Sequence, residues 1–355
     1  MLKVGIITWH DHNNMGGALQ AFALTSIVRR FTDSVQIIDY HDKAKVKVKL
    51  RIQFFLSKIG NIFNLNWKFR YPFLDFYHKY YKLTRQYDLK TIWDFDSSSI
   101  DLLICGSDQI WAPNKYSPVY FGEFYRGRKV SYAASIGLNY IPRHLIDSYK
   151  NALETFELVT VREEKAVELL RDKCGITAQC VLDPTLLLNV EDYKLIESPV
   201  SDIRSPFVFC YFLNEKNVYK QELEHYLSNC EFEIVGYSKK TDDSHWIRKL
   251  KNIGPKEFLW LVHNAALVIT DSYHGSVFSL LYHKKAYIFR RFEEDDPINQ
   301  NSRIEQLSSY GFIGKSQIKG LYETFIDCTV EEFEKELGIL RARSLAYIEG
   351  IFKSC

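Results

Sequence analysis

The chain has 355 residues, 46% of them apolar and 25% charged, which are ordinary globular proportions and leave room for about two domains with full hydrophobic cores. Its formal charge of +2 hides an asymmetry, because residues 43–90 hold twelve Lys/Arg against Asp75 and Asp88. The remainder therefore carries −8, which excludes nucleic acid as the partner of most of the surface.

In chain order, Val4–Thr8 is predicted as a strand, 16–30 as a helix with Leu19, Ala23 and Ile27 aligned, and Val35–Asp39 as a strand. Residues 43–90 then read as a basic, aromatic insertion. Lys43, Lys45, Lys47 and Lys49 alternate with Ala44, Val46, Val48 and Leu50, and Phe54, Phe55, Trp67, Phe73, Phe76, Tyr77, Tyr80 and Tyr81 follow. That composition suits docking on an anionic membrane face, and equally suits a solvated basic face over an aromatic subdomain.

Strands are expected at Asp101–Cys105, Lys129–Ala134, Leu158–Val161 and Gln179–Leu182, with helices from about Pro142 and over Glu163–Lys173. A second series restarts after Asp183-Pro184. It comprises strands at Phe207–Phe212, Phe232–Gly236, Ala265–Thr270 and Tyr287–Phe289, helices at Pro255–Asn264 and 276–283, and a helical tail over Val330–Lys353 opened by an N-cap at Thr329. Strands alternating with helices predict parallel sheets covered on both faces. The economical architecture is two doubly wound, Rossmann-like domains facing across a cleft: residues 1–190, residues 191–328, and a helical segment over 329–355.

No stretch approaches the ~20 apolar residues of a membrane span, and the N-terminal strand is too short for a signal peptide. The seven cysteines lack a CxxC pair, and Cys105 and Cys210 sit in apolar strands. Reduced, mostly buried thiols in a soluble cytoplasmic protein are expected.

Candidate site residues cluster where strands end. Asp271-Ser272-Tyr273-His274-Gly275-Ser276 follows an apolar strand, with Gly275 expected to permit a sharp turn and the Ser272, Gly275 and Ser276 backbone to form an anion site. A satisfied histidine in a tight turn is the structural reading of His274. Asn14, Gly16, Gly17 and Gln20 open the first helix, where paired glycines either approach a ligand or serve the turn alone. Ser107 and Asp108 either cap a helix or meet ligand hydroxyls. Arg162 either faces the same crevice or pairs with Glu163 or Glu164. Arg303 either binds an anion or pairs with the acidic loop at 293–296.

The G-x-G-x-x-G, Walker, H-E-x-x-H and G-x-S-x-G patterns are absent, as are paired Cys/His spacings, so no metal or dinucleotide cofactor is expected. A histidine, two arginines and two helix N-termini describe a site for a small dianion or trianion, with His274 as acid or base.

The whole chain resembles the polysaccharide pyruvyl transferase family. The resemblance rests on Asn14-x-Gly16-x-x-x-Gln20, Cys105-Gly106-Ser107-Asp108-Gln109-Ile110-Trp111, Ser131-Tyr132-Ala133-Ala134-Ser135-Ile136-Gly137, Val161-Arg162-Glu163-Glu164, Leu182-Asp183-Pro184-Thr185, 270–279 around His274, and Asn301-Ser302-Arg303-Ile304. It implies a glycosyltransferase B-like shape. It also implies transfer of a pyruvyl group from phosphoenolpyruvate to two hydroxyls of a sugar, giving a cyclic ketal on a cell-surface polysaccharide precursor. In that chemistry His274 protonates the donor's methylene carbon, Arg162 and Arg303 grip its carboxylate and phosphate, and Asp108 or Asp271 activates the acceptor. Several members carry Arg-Leu-His where this chain has Ser272-Tyr273-His274, and Arg303 is the expected substitute. The acceptor is expected to be lipid-linked at the inner membrane face. A nucleotide-sugar-dependent glycosyltransferase and a non-catalytic ligand-binding relative are the competing readings.

Overall fold

The computed structural model describes residues 2–11, 13–42, 72–213, 227, 230–238, 247–292, 296, 299–316 and 321–353. The acidic residues 293–295 and the basic strip at 43–71 lie outside them. The chain forms two compact units: Met1–Ile136, Tyr140–Pro184 and Ser344–Cys355 in the first, Gly137–Asn139 and Thr185–Arg343 in the second.

The first unit is built on strands β1 (Val4–Ile7), β2 (Val35–Tyr40), β3 (Leu83–Tyr87), β4 (Leu102–Cys105) and β5 (Arg128–Ser131), in the order β3-β2-β1-β4-β5. Every pairing is parallel. All four residues of β1 and of β4 are buried, as expected for parallel strands covered on both faces. Helix α1 (Met15–Val28) is apolar nearly all round and is buried except at Ser26, so it is a core helix rather than an amphipathic one. Asn14 caps it by accepting from the Gly17 amide at 3.2 Å.

The expected insertion at 43–90 ends earlier than the composition suggested. Residues from Pro72 belong to the framework: helix α2 (Pro72–Tyr80) buries Phe73, Phe76 and Tyr77, and β3 joins the edge of the sheet. Tyr81 is also buried and its hydroxyl donates to the Ala18 carbonyl at 2.6 Å. These aromatics are interior packing, and none is left on an interfacial face.

Helix α3 (Ile146–Leu153) precedes β6 (Thr160–Val161), and α4 (Glu164–Leu169) continues into a single π turn before β7 (Gln179–Cys180). Bridges Val130↔Leu158 and Ala134↔Val161 set β6 beside β5.

The second unit opens with α5 (Val190–Lys194) and carries a seven-stranded sheet of β8 (Phe207–Phe212), β9 (Glu233–Ser238), β10 (Arg248–Lys249), β11 (Leu267–Thr270), β12 (Ala286–Phe289), β13 (Ile313–Lys315) and β14 (Leu321–Thr324). Its order is β10-β9-β8-β11-β12-β14-β13. The first five strands are parallel, while β14 and β13 add antiparallel, an edge that the sequence reading did not anticipate. Helix α6 (Pro255–Asn264) has Pro255 in its first turn, and α7 (Tyr273–Leu281) follows β11 with all nine residues buried. Helix α8 (Ser302–Ser309), also not anticipated, leads into β13.

The tail is α9 (Val330–Lys353). Thr329 and Glu332 form a reciprocal cap, with the Thr329 amide donating to Glu332 at 2.8 Å and the Glu332 amide to Thr329 Oγ1 at 3.2 Å. From Ser344 the helix belongs to the first unit, where the Leu182 amide donates to Ser344 Oγ at 3.0 Å and Phe352 stacks on Phe31.

Both sheets reverse strand order at one point, β1/β4 in the first unit and β8/β11 in the second. Ligands of open α/β sheets bind at the carboxyl ends of strands beside such a reversal. Among the described residues no helix is long and apolar enough to cross a membrane, and the six cysteines are all free.

Candidate functional site

The reversal in the first unit is formed by Thr8, after β1, and Gly106-Ser107-Asp108, after β4. Thr8 Oγ1 donates to the Ser107 carbonyl at 2.8 Å, tying the two strand ends together. Gln20 reaches back from α1, its amide nitrogen within 3.0 Å of Thr8 Oγ1, the Trp9 carbonyl and the Gly17 carbonyl. Asn14, Gly17 and Gln20 therefore hold the loop between β1 and α1 in one conformation. Gly16 lies in the buried first turn of α1.

No helix follows Asp108, so the expected capping role of Ser107 and Asp108 is not realised. Instead Ser107 Oγ accepts from the Asp108 amide at 2.6 Å and Asp108 Oδ1 from the Gln109 amide at 2.9 Å. Gly106 is required here. Its φ is +135°, and a Cβ would lie 2.1 Å from the Tyr132 carbonyl oxygen. Asp108 itself sits at φ +73°, bridged to Ala134, with the Ser135 amide donating to its carbonyl at 2.9 Å.

Arg162 closes this cluster. The expected partner was Glu163 or Glu164, but its shortest contact is to Asp183 Oδ2 at 2.6 Å. Asp108 Oδ1 lies 3.6 Å from its Nη2 and Glu163 Oε2 4.0 Å from its Nε. One guanidinium thus faces three carboxylates, all buried, so the group has an acidic formal balance. Glu163 is further held by the Ser135 hydroxyl at 2.9 Å.

The reversal in the second unit joins the end of β8 to the end of β11. Asp271, a candidate to activate the acceptor, spans this reversal: the Leu213 amide donates to its Oδ1 at 2.7 Å. Arg291 Nη2 donates to the Asp271 carbonyl at 3.3 Å. Ser272 caps α7 through its hydroxyl, which accepts from the Gly275 amide at 3.3 Å, and Ser276 Oγ donates back to the Ser272 carbonyl at 3.0 Å. His274 lies in the first turn of α7, 6% exposed, beside the Tyr273 ring.

Gly275 does not make the sharp turn expected of it, because it lies inside the helix. Its need is steric: a Cβ would come within 2.4 Å of Thr270 Oγ1, which donates to the Tyr211 carbonyl and accepts from the Ser272 amide. Arg303, in the first turn of α8, stands 5.9 Å from the centroid of the Tyr273 ring and donates to Gln300 at 3.1 Å. The structure therefore gathers His274, Arg303, Arg291, Asp271 and the α7 N-terminus at one end of one sheet.

Sequence reasoning overlooked Thr8, Asp183 and Arg291. Asp183 was visible as the acidic member of Asp183-Pro184, and Arg291 as a cation following β12. It also expected no metal cluster, whereas His10, Asp39 and His41 come together at the ends of β1 and β2. His10 reaches Asp39 and His41 only through the parallel pairing of the two strands.

The polysaccharide pyruvyl transferase family model matches residues 14–291 of the chain, a span that includes every candidate residue above except Thr8, His10, Gln300 and Arg303. No curated protein sequence matches the chain significantly. Among solved structures it resembles UDP-GlcNAc 2-epimerase from Neisseria meningitidis bound to UDP-GlcNAc, at 10% identity and TM-score 0.53, covering 99% of this chain and 100% of that one. It also resembles Anabaena Alr3699/HepE in complex with UDP and glucose, at 10% identity and TM-score 0.52, covering 100% of both chains. UDP-GlcNAc 2-epimerase from Methanocaldococcus jannaschii aligns at 12% identity and TM-score 0.50, covering 96% of this chain and 99% of that one. These likenesses establish the fold, which is glycosyltransferase B-like with two Rossmann-like units.

Proposed function

Because the chain belongs to the polysaccharide pyruvyl transferase family, we propose that it transfers the pyruvyl group of phosphoenolpyruvate to two hydroxyls of a sugar in a cell-surface polysaccharide precursor. The supporting observation is the position of His274 in the first turn of α7, with the Arg303 guanidinium over the ring of the adjacent Tyr273 at 5.9 Å. The donor is a trianion at neutral pH, and this end of the second unit offers two guanidiniums and a helix N-terminus.

The Ser272, Gly275 and Ser276 amides are taken up within the protein, by Thr270 Oγ1, Ser272 Oγ and the Ser272 carbonyl. In this reading Arg303 and Arg291, aided by the positive end of α7, therefore hold the donor's carboxylate and phosphate. His274 protonates the methylene carbon, which makes the adjacent carbon electrophilic. A sugar hydroxyl adds to that carbon, the second hydroxyl displaces phosphate, and the ketal closes. The acidic balance around Arg162 makes the first unit a poor place for the donor. We assign Arg162 there to holding the Asp108 carboxylate, in place of an anion-gripping role.

The acceptor is proposed to be lipid-linked, with the basic residues of 43–71 drawing the protein to an anionic membrane face. Sedimentation with anionic and neutral liposomes tests that part. For the reaction, the protein is incubated with phosphoenolpyruvate and simple pyranosides of glucose, galactose or N-acetylmannosamine. Acceptor-dependent phosphate release and a ketal product by mass spectrometry are expected. Transfer from a nucleotide sugar instead would establish the glycosyltransferase reading.

A further inference from the structure

The ends of β1 and β2 carry a cluster that the transferase reading does not use. His10 follows β1, Asp39 lies in β2 and His41 follows it, and all three are buried. His10 Nε2 lies 3.1 Å from Asp39 Oδ1, and His41 Nε2 lies 2.5 Å from the same oxygen. One ligand atom from each residue lies within 4.8 Å of the others.

The opposite ring nitrogens fix the tautomers. His10 Nδ1 is 3.2 Å from the Thr8 carbonyl oxygen, and His41 Nδ1 meets the Asp11 carboxylate. Both of those groups only accept, so each Nδ1 carries a proton. Each imidazole then turns its Nε2, the nitrogen suited to a metal, toward one carboxylate oxygen. A histidine that donates its other N–H to a carbonyl or carboxylate is the usual outer-shell arrangement of a metal ligand.

From this geometry we propose that His10, Asp39 and His41 bind one divalent first-row transition metal ion of the zinc class. Two imidazoles and a carboxylate match the donor preferences of that class. Ligands ~2.0–2.1 Å from tetrahedral zinc stand roughly 3.3 Å apart. The His10–Asp39 contact is near that value, and the His41–Asp39 contact has to open by less than about 1 Å. The Asp39 and Asp11 carboxylates balance the charge of a divalent ion. The ion would pin the loop leading to Asn14 onto β2, a structural role next to the first unit's strand reversal.

The test uses untagged full-length protein, stripped with a chelator and titrated with Zn²⁺ or Co²⁺. The wild type is expected to bind one equivalent, with visible Co²⁺ bands of a four- or five-coordinate nitrogen/oxygen site and a raised melting temperature. His10→Gln and His41→Gln are expected to weaken binding by about 100-fold or more, and Asp11→Asn, one shell out, by roughly 10–100-fold. No uptake by the wild type, or uptake undiminished in all three variants, overturns the site. Should the variants fail to fold, X-ray absorption of the zinc-loaded wild type decides. Imidazole and oxygen neighbours support the site, and sulfur neighbours overturn it.

Discussion

Arg162 and Asp183 form a buried ion pair, with Nη1 2.6 Å from Oδ2 and side chains 2% and 0% exposed. The pair links the exit of β6 to the turn that ends the first unit, and it orients the guanidinium toward Asp108. Asp183→Asn removes the charge of the shortest of the three carboxylate contacts of Arg162. It is expected to destabilise the protein by about 1.5–3 kcal/mol, the usual worth of a hydrogen bond to a charged group. Chemical denaturation monitored by fluorescence measures it. A loss below about 1 kcal/mol would place the pair among weak surface-like contacts.

His274→Ala is expected to reduce turnover by ~10²–10⁴-fold, the usual contribution of a positioned acid or base. The melting temperature should change little, because the ring's hydrogen bonds are not what caps α7. Near-normal turnover in a folded variant would remove His274 from the chemistry.

Gly275→Ala tests whether packing, rather than turn geometry, dictates the glycine. A methyl group there meets Thr270 Oγ1 at 2.4 Å and displaces a hydroxyl that joins the Tyr211 carbonyl to the Ser272 amide. Overpacking of this kind costs about 1–3 kcal/mol. Donor affinity should fall with it, since Ser272 and α7 move together.

β1, β4, β8, β11 and β12 were legible because each is a short, largely apolar run. Phe207–Phe212 and Pro255–Asn264 were recovered with their observed limits, the latter because Pro255 fixes its first turn. β14 was missed because Leu321–Thr324 mixes Glu323 into the run, and α8 because it opens on the polar Asn301-Ser302-Arg303. The insertion was drawn too long because Phe73, Phe76 and Tyr77 have the composition of a surface element but the spacing of a buried helix face. His10 and Asp39 are 29 residues apart, and only the register Ile6↔Ile37 makes them neighbours.

Cys105 supplies a pH-dependent prediction. Burial pushes its thiol up to about 12. At pH 8 it should resist alkylation in the native state while the half-buried Cys180, Cys230 and Cys328 are labelled, as mass spectrometry would read. An unfolded thiol loses its proton near ~8.5. The raised folded value therefore adds stability that is intact below that pH and is lost as pH climbs toward the folded value. Rapid native labelling of Cys105 at pH 8 would contradict the burial argument.

The most direct measurement is calorimetric titration of the full-length protein with phosphoenolpyruvate and, in parallel, with UDP-glucose. Phosphoenolpyruvate is predicted to bind and UDP-glucose is not. Arg303→Lys is predicted to weaken phosphoenolpyruvate binding, because an ammonium cannot reproduce the guanidinium fork. Binding of UDP-glucose without phosphoenolpyruvate, or phosphoenolpyruvate affinity unchanged in Arg303→Lys, would contradict a donor site built on α7 and α8.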